Sequence, residues 1–445
     1  MDSVELLPFT ATKNSIRMLR EQMNVVLHMS YAGDGQTFFV ASVPREEDAA
    51  TAARASYAMI ADALHDKGME IVHERVFGSL SVEAAVLRER KAALSGRQVP
   101  AGGPVTYVAG NPPWGEGLAG IIIYAVSSDS ADDLWTIMDG ENPCGRGWIR
   151  NGSTYLMLQN IQALGGEEFT PPILPLLKGR SEEGLSLHPL SRPSQVRLMF
   201  DRADRILRRY GSSYKDVART WLYLSGILDW YPDFNKARSE KYGEFGIMPG
   251  PGDNRLLLPA STGIGADAPS GAAASMDVLA VVENSDRAPS VRKLSNRRQL
   301  DAFRYGAAFS RGAVMMEDDV KLIQVSGTAA IDEHGVSLHP GDIRSQINCT
   351  FDRIETLLGQ EGADLRSIAA ATAFVKRPEY APIFWKMAAD RGLTEFPAVC
   401  VVADVCREEL LFEIDAEAVI RRCRGVWGPM DSAFSTTRLL VGPAA

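Results

Sequence analysis

Three glycines, Gly68, Gly211 and Gly362, punctuate this chain at intervals of 143 and 151 residues, and each closes the same kind of passage. An extended β-branched or aromatic stretch opens the passage: Thr37–Ser42, Ser153–Gln159 or Leu322–Gly327. A segment with apolar residues at three- and four-residue spacing follows, as in Ile347, Phe351, Ile354, Leu357 and Leu358, or Met199, Ala203, Ile206 and Leu207. That spacing puts the apolar side chains on one stripe of a helix. Glycine just past the last turn tolerates the left-handed conformation that ends a helix. A strand resumes within a few residues of each glycine, at Met69–Phe77, Val217–Leu224 and Ile368–Val375. Two near-equal periods of this size mean a duplicated domain, because solenoid repeats are far shorter.

The order strand, helix, strand, helix, strands predicts an α+β fold, with one mixed sheet per unit and both helices on one face. The other face is too apolar for water, so the sibling units are expected to cover it. The expected boundaries are a first, degenerate unit at 1–132, a second at 133–290 and a third at 291–425. A Pro- and Gly-rich insertion is expected at about 165–193, a polar connector at Glu283–Arg298, and a loosely held extension at 426–445.

The balance of 45% hydrophobic and 23% charged residues is that of an ordinary globular protein. A net charge of -9 gives no support to a nucleic-acid or anionic-membrane partner. The longest apolar run, Leu118–Val126, is far short of the roughly 20 residues a membrane span needs. The start, Met1–Glu5, lacks signal-peptide character, and five scattered cysteines form no CxxC pair, so a reducing cytoplasm is expected. His28, His65, His73, His188, His334 and His339 show no metal-ligand spacing. Gly263-Ile264-Gly265 lacks the third glycine of a dinucleotide fingerprint. No cofactor and no metal are expected.

Val325–Ile331, Gly341-Asp342, Gln346, Phe351, Phe396-Pro397-Ala398 and Glu413–Ala416 resemble the Rid/YjgF family. That resemblance implies three tandem Rid/YjgF-like (chorismate-mutase-like) units folded as an intramolecular pseudo-trimer, with a small-molecule site between units. A sharper series spans units two and three: Arg219-x-Trp221-x-Tyr223, Pro259–Gly265, Phe309-Ser310-Arg311, Ser326–Ala329, His339–Asp342 and Cys406–Asp415. In order and spacing it resembles chorismatases, which cleave the enolpyruvyl ether of chorismate without a cofactor. Rid imine deaminases carry an arginine two residues after the proline of the penultimate strand. Val399 stands there after Pro397, and the corresponding places read Ser261 and Thr106.

The resemblance implies a lyase or hydrolase that cleaves the enol ether of chorismate or a related carboxylated metabolite and releases pyruvate. The alternatives are an imine or enamine deaminase with a relocated arginine, and a non-catalytic metabolite-binding scaffold. Protonating an enol ether needs an acid that stays neutral near pH 7, and burial raises a carboxyl pKa in that direction. Glu413 lies in the apolar stretch Leu410–Ile414, on the same strand face as Asp415. A strand glutamate ordinarily faces solvent; the resemblance assigns this one the catalytic role. Asp277 stands in the corresponding strand of unit two, and Ile121–Ile123 in unit one. One site rather than three is the expectation.

Arg219 and Arg311 are read as carboxylate anchors, although an internal carboxylate would satisfy Arg219 equally well. Arg238 is left open. Tyr223, Gly327, Thr328 and Cys406 complete the expected substrate-binding set, with Cys406 as wall residue or nucleophile. The expected state is a monomeric pseudo-trimer or a low-order homo-oligomer.

Overall fold

The computed structural model describes residues 4–5, 25–163, 190–283, 291–423, 426–429 and 436–441, apart from positions 34, 101–102, 129, 251–255, 297, 300 and 318–319. Most of the expected insertion at 165–193, much of the Glu283–Arg298 connector and most of the N-terminal stretch lie outside the described residues.

Unit one contains β1 (Val4–Glu5), β2 (Val25–Tyr31), β3 (Gln36–Ser42), α1 (Ala49–Lys67), β4 (Met69–Gly78), α2 (Glu83–Gly96), β5 (Thr106–Ala109) and β6 (Leu118–Ser127). Unit two contains β7 (Leu134–Asp139), β8 (Asn142–Arg150), β9 (Ser153–Ile161), α3 (Arg192–Arg209), β10 (Val217–Leu224), α4 (Ile227–Glu244), β11 (Ala260–Gly265) and β12 (Ala274–Glu283). Unit three contains β13 (Val291–Leu294), β14 (Gly312–Glu317), β15 (Val320–Ala329), α5 (Ile343–Gly359), β16 (Ile368–Val375), α6 (Tyr380–Asp390), β17 (Ala398–Val402) and β18 (Phe412–Cys423). β19 (Val426–Pro429) and β20 (Thr436–Val441) follow.

The sheets run β1-β20-β2-β3-β6-β4-β5, β11-β10-β12-β9-β8-β7 and β13-β14-β15-β18-β16-β17. In each, a parallel edge pair (β4/β5, β10/β11, β16/β17) joins an otherwise antiparallel set. Within the expected extension at 426–445, Val426–Pro429 and Thr436–Val441 are strands and not loose chain. β20 pairs antiparallel with β2 from Val25↔Val441 to Ser30↔Thr436, so the end of the chain completes the first unit's sheet. Thr436–Val441 reads Thr-Thr-Arg-Leu-Leu-Val, a strand former whose partner lies more than 400 residues away, which local pattern cannot reveal.

Local signals fix the helices. Asp342 caps α5 by accepting from the Ser345 N–H at 3.1 Å. Gly68 ends α1 at φ 59° and donates to Leu64 and His65 carbonyls. The stripe Ile347, Phe351, Ile354 and Leu358 of α5 packs with Phe384 and Phe396 on one face of the third sheet. The opposite, helix-free faces of all three sheets converge on one shared core containing Ile122, Tyr124, Trp148, Tyr155, Trp221, Phe374 and Val399.

A cyclic set of backbone bonds shows the pseudo-threefold arrangement. Ala109 N–H donates to Asp267 O (3.3 Å), Gly265 N–H to Asp404 O (2.8 Å) and Val402 N–H to Asn111 O (2.9 Å). All three units also meet on one carboxylate. Glu317 accepts from Gln36 Nε2 at 2.8 Å, Arg150 Nε at 2.9 Å and the Tyr155 hydroxyl at 2.7 Å.

Candidate active site between the second and third units

β18 lies between β15 and β16, with Glu413 opposite Ala329 on one side and Phe374 on the other. Alternation places Glu413, Asp415 and Glu417 on one face of the strand, and all three are buried. The β15/β18 register shifts between Val325 and Thr328, a bulge that contains Gly327. A Cβ at Gly327 would sit 2.1 Å from Glu413 Oε1. Only glycine leaves room for this carboxyl, which explains the small residue there.

Glu413 is buried, and its carboxyl is pushed up to about 8. Burial is the main cause and neighbouring Asp415 adds to it, while Arg219 and Arg311 oppose it. At neutral pH the group is therefore a carboxylic acid able to donate a proton. Asp415 is held by Thr262 Oγ1, which donates to its Oδ2 at 2.9 Å, and by Arg219 Nη2 at 3.2 Å. Thr262 Oγ1 also accepts from Arg219 Nη2 (2.6 Å) and from the Gly327 N–H (3.1 Å), which ties β11 of unit two to the bulge of unit three.

Glu413 opens into a cavity of about 650 Å³ between the two units, within the range of small-molecule sites. α4 supplies Tyr231, Asn235, Lys236 and Arg238, and β11 supplies Ser261 and Gly263. The segment before β14 supplies Gln299, Tyr305, Phe309 and Arg311. Gly327, Ala329, Cys406 and Arg407 complete the inner wall. α4 breaks at Trp230 (φ -148°, ψ 15°) ahead of Pro232, which separates its first turn from the stretch bearing Tyr231 to Arg238.

Both buried arginines of this cavity flank Phe309, with guanidinium carbons 5.6 Å (Arg238) and 5.3 Å (Arg311) from the ring centroid. Arg311 Nη2 donates to the Tyr305 hydroxyl at 2.9 Å. Arg238 Nη2 donates to Asn235 Oδ1 at 2.6 Å, while its buried Nε has no hydrogen-bond partner and no carboxylate pairs with it among the described residues. Unit one shows the contrast. On the corresponding helix, Arg90 is saturated by Glu74 at 2.6–2.9 Å. Strand register puts Thr220 at Glu74's position in unit two, so Arg238 lacks such a counter-ion.

Of the residues expected at the ligand, Glu413, Arg311, Gly327 and Cys406 line the cavity, and so does Arg238, which the sequence left open. Arg219, Tyr223 and Thr328 do not. Arg219 takes the internal option, bonded to Asp415 with its guanidinium 4.8 Å from the Trp221 ring centroid. Tyr223 is packed in the shared core, and the Thr328 hydroxyl donates to Ser326 O at 2.8 Å. The pleat turns Thr328 away from the cavity between Gly327 and Ala329, and no residue of β10 is among the lining residues. The Cys406 thiol is pushed up to about 12 by burial and by Glu413, against the opposing Arg407. It stays a thiol at neutral pH, which suits a wall residue and not a nucleophile. Sequence reasoning missed Tyr231, Asn235, Lys236, Tyr305, Phe309 and Arg407. The aromatics preceding Arg311 were the one available signal.

Register bears out the strand that carries Asp277, refines its position, and corrects the equivalence drawn for Ser261. Ser275, not Asp277, occupies Glu413's position in unit two, and Gly120 does so in unit one. Thr262, not Ser261, matches Val399. Val399 is buried against unit one, where a Cβ on Gly120 would meet its Cγ2 at 2.7 Å. That place has no space for a guanidinium.

Residues 301–420 match a family model described as Endoribonuclease L-PSP. A chorismatase from Streptomyces rapamycinicus is 29% identical over 228 residues, covering 45% of this chain and 64% of that protein. A 3-hydroxybenzoate synthase from Streptomyces hygroscopicus is 24% identical over 237 residues, covering 47% and 65%. The match thus spans less than two thirds of these curated relatives. A crystal structure of a chorismatase, 18% identical, superposes with a TM-score of 0.55 over 78% of this chain and 93% of that one. The third unit thus matches the L-PSP (Rid/YjgF) family model, and the chain is similar over part of its length to chorismatases, whose fold it shares.

Proposed function

We propose that this protein is a cofactor-independent, chorismatase-like lyase or hydrolase that cleaves the enol ether of chorismate or a closely related dicarboxylate and releases pyruvate. The observation that carries the reading is Glu413, a buried carboxyl kept neutral near pH 7 at the inner wall of a cavity of about 650 Å³. The names of the relatives support the choice of substrate.

In this mechanism the Glu413 acid gives its proton to the methylene carbon of the enolpyruvyl group. The vinyl π pair forms the new C–H bond and leaves an oxocarbenium ion on the ether-bearing carbon. Glu413, now a carboxylate, accepts a proton from the water that attacks that carbon. The resulting hemiketal collapses as its C–O bond to the ring breaks, giving pyruvate and the ring alcohol, with the hemiketal proton passing to the leaving oxygen. Overall one water is consumed. Arg238 and Arg311, both beside Phe309, hold the two carboxylates through charge-assisted forks. Phe309 and Tyr305 cover the ring, and Cys406 shapes the wall. Lactate dehydrogenase coupling measures pyruvate after chorismate is added. Ammonia release from amino-acid-derived imines without pyruvate formation would replace this reading with the deaminase one, and tight binding without turnover would replace it with the scaffold one.

A further inference from the structure

Pseudo-symmetry makes each interface a control for the other two. At the junction of units one and two, Asp277 accepts from Thr106 Oγ1 at 2.6 Å and the Asn160 N–H at 2.7 Å, and it faces His73 Nε2 at 2.9 Å. At the junction of units two and three, Asp415 accepts from Thr262 and faces Arg219. Strand register makes these matched sets: Thr106 with Thr262, His73 with Arg219, and Asp277 with Asp415. At the third junction the same positions carry Val399, Ala370 and Ile122, all apolar and buried. At these three positions an interface of this kind therefore forms without a charge, and the ion pairs that cross the third junction come from Arg75 instead.

The charged version coincides with the acid. Where Ser275 stands at the Glu413 position, the aspartate's partner is an imidazole that burial holds below its ordinary pKa. Where Gly120 stands there, no aspartate is present. Only beside Glu413 is the aspartate paired with a permanent cation. Groups facing Glu413 come from every adjoining element: Asp415 on its own strand, Arg219 from β10, Thr262 from β11, Arg311 ahead of β14, Cys406 from the preceding loop and Tyr231 from α4. Farther along the same face, Glu417 accepts from Arg75 Nη2 of unit one at 3.0 Å, and Arg75 Nη1 also lies 3.6 Å from Asp415 Oδ2, a second cation on the aspartate besides Arg219.

We infer that Asp415, clamped by Thr262 and Arg219, is a positioning residue that keeps Glu413 in its proton-donating form. The charge of Asp415, two residues along the strand, opposes ionisation of Glu413, and Arg219 limits that effect so that the acid remains able to titrate. This inference rests on the role proposed for Glu413, so it is tested with one readout that needs turnover and one that does not.

The first readout is the alkaline limb of kcat against pH for chorismate. The second is the infrared carbonyl stretch of protonated Glu413 in the ligand-free protein, isolated as wild type minus Glu413→Gln. Asp415→Asn is expected to lower both midpoints by about one pH unit or more, and Arg219→Gln to raise them. Asp277→Asn, the matched change at the other junction, is expected to leave both in place. Opposite displacements by the two partners cannot come from general loosening, and Arg219→Gln remains informative if Asp415→Asn does not fold. Unmoved midpoints in both Asp415→Asn and Arg219→Gln would overturn the inference, as would an equal displacement in Asp277→Asn. Absent turnover with an Asp415-dependent infrared midpoint would refute the proposed reaction and leave the inference standing.

Discussion

Glu413→Gln is expected to change how stability depends on pH before any substrate is added. The folded carboxyl titrates at about 8 against an ordinary 4.5. Below the lower value both folded and unfolded chains hold the proton, so the neutral acid's share of stability is fully present. Between the two values the unfolded chain releases the proton while the folded chain keeps it, and stability falls as pH rises. Above the higher value the folded carboxyl ionises too and the loss levels off. At 1.36 kcal/mol per tenfold change in proton activity, wild type should lose about 4 kcal/mol relative to Glu413→Gln between about pH 5 and pH 9. Glutamine keeps the shape beside Gly327 and cannot ionise, so other titrations cancel in the comparison. Urea unfolding at several pH values measures the difference directly, with m-values checking that the transition itself is unchanged. A constant difference between the two proteins across that range would refute a buried, neutral acid.

Three further changes probe the walls of the site and the assembly. Arg238→Gln removes a buried cation that has no carboxylate partner among the described residues, so kcat/KM for a dicarboxylate should fall by roughly 30-fold, about 2 kcal/mol, and stability should hold or rise; unchanged kinetics would remove Arg238 from the site. Gly327→Ala drives a methyl into the Glu413 carboxyl, and a displacement of about an ångström should cut kcat by roughly a hundredfold, far more than the accompanying loss in thermal stability explains. Glu317→Ala takes away the carboxylate on which all three units meet, and it should destabilise the fold by about 3 kcal/mol in urea titration while sparing activity per folded molecule.

Much of the architecture was legible because each unit repeats the same local instructions. Asp342 before an apolar stripe and Gly68 after one announce helix ends without reference to distant residues. Glu413 was legible through its motif, and its burial through the apolar residues around it. Arg219 shows where sequence stops. Its strand is apolar and its charge demands a partner, yet only the packing of unit three against unit two decides that the partner is Asp415 and not a ligand. Arg238 is the converse case, recognisable as unpaired only once Thr220 is seen at the position of Glu74. Tyr231 comes from one stretch and Tyr305 and Phe309 from another, and local patterning does not bring the two together. The C-terminal strand was misread for the same reason, since pairing across more than 400 residues leaves no periodic trace near either end.

The central claim is that the acid at Glu413 protonates the vinyl carbon of an enol ether. Turnover of chorismate in deuterium oxide, with pyruvate reduced to lactate as it forms, tests this most directly by mass spectrometry. The account predicts one deuterium in the methyl group of the product and loss of its release in Glu413→Gln. Product whose methyl group carries no deuterium, or undiminished release by the variant, would contradict it.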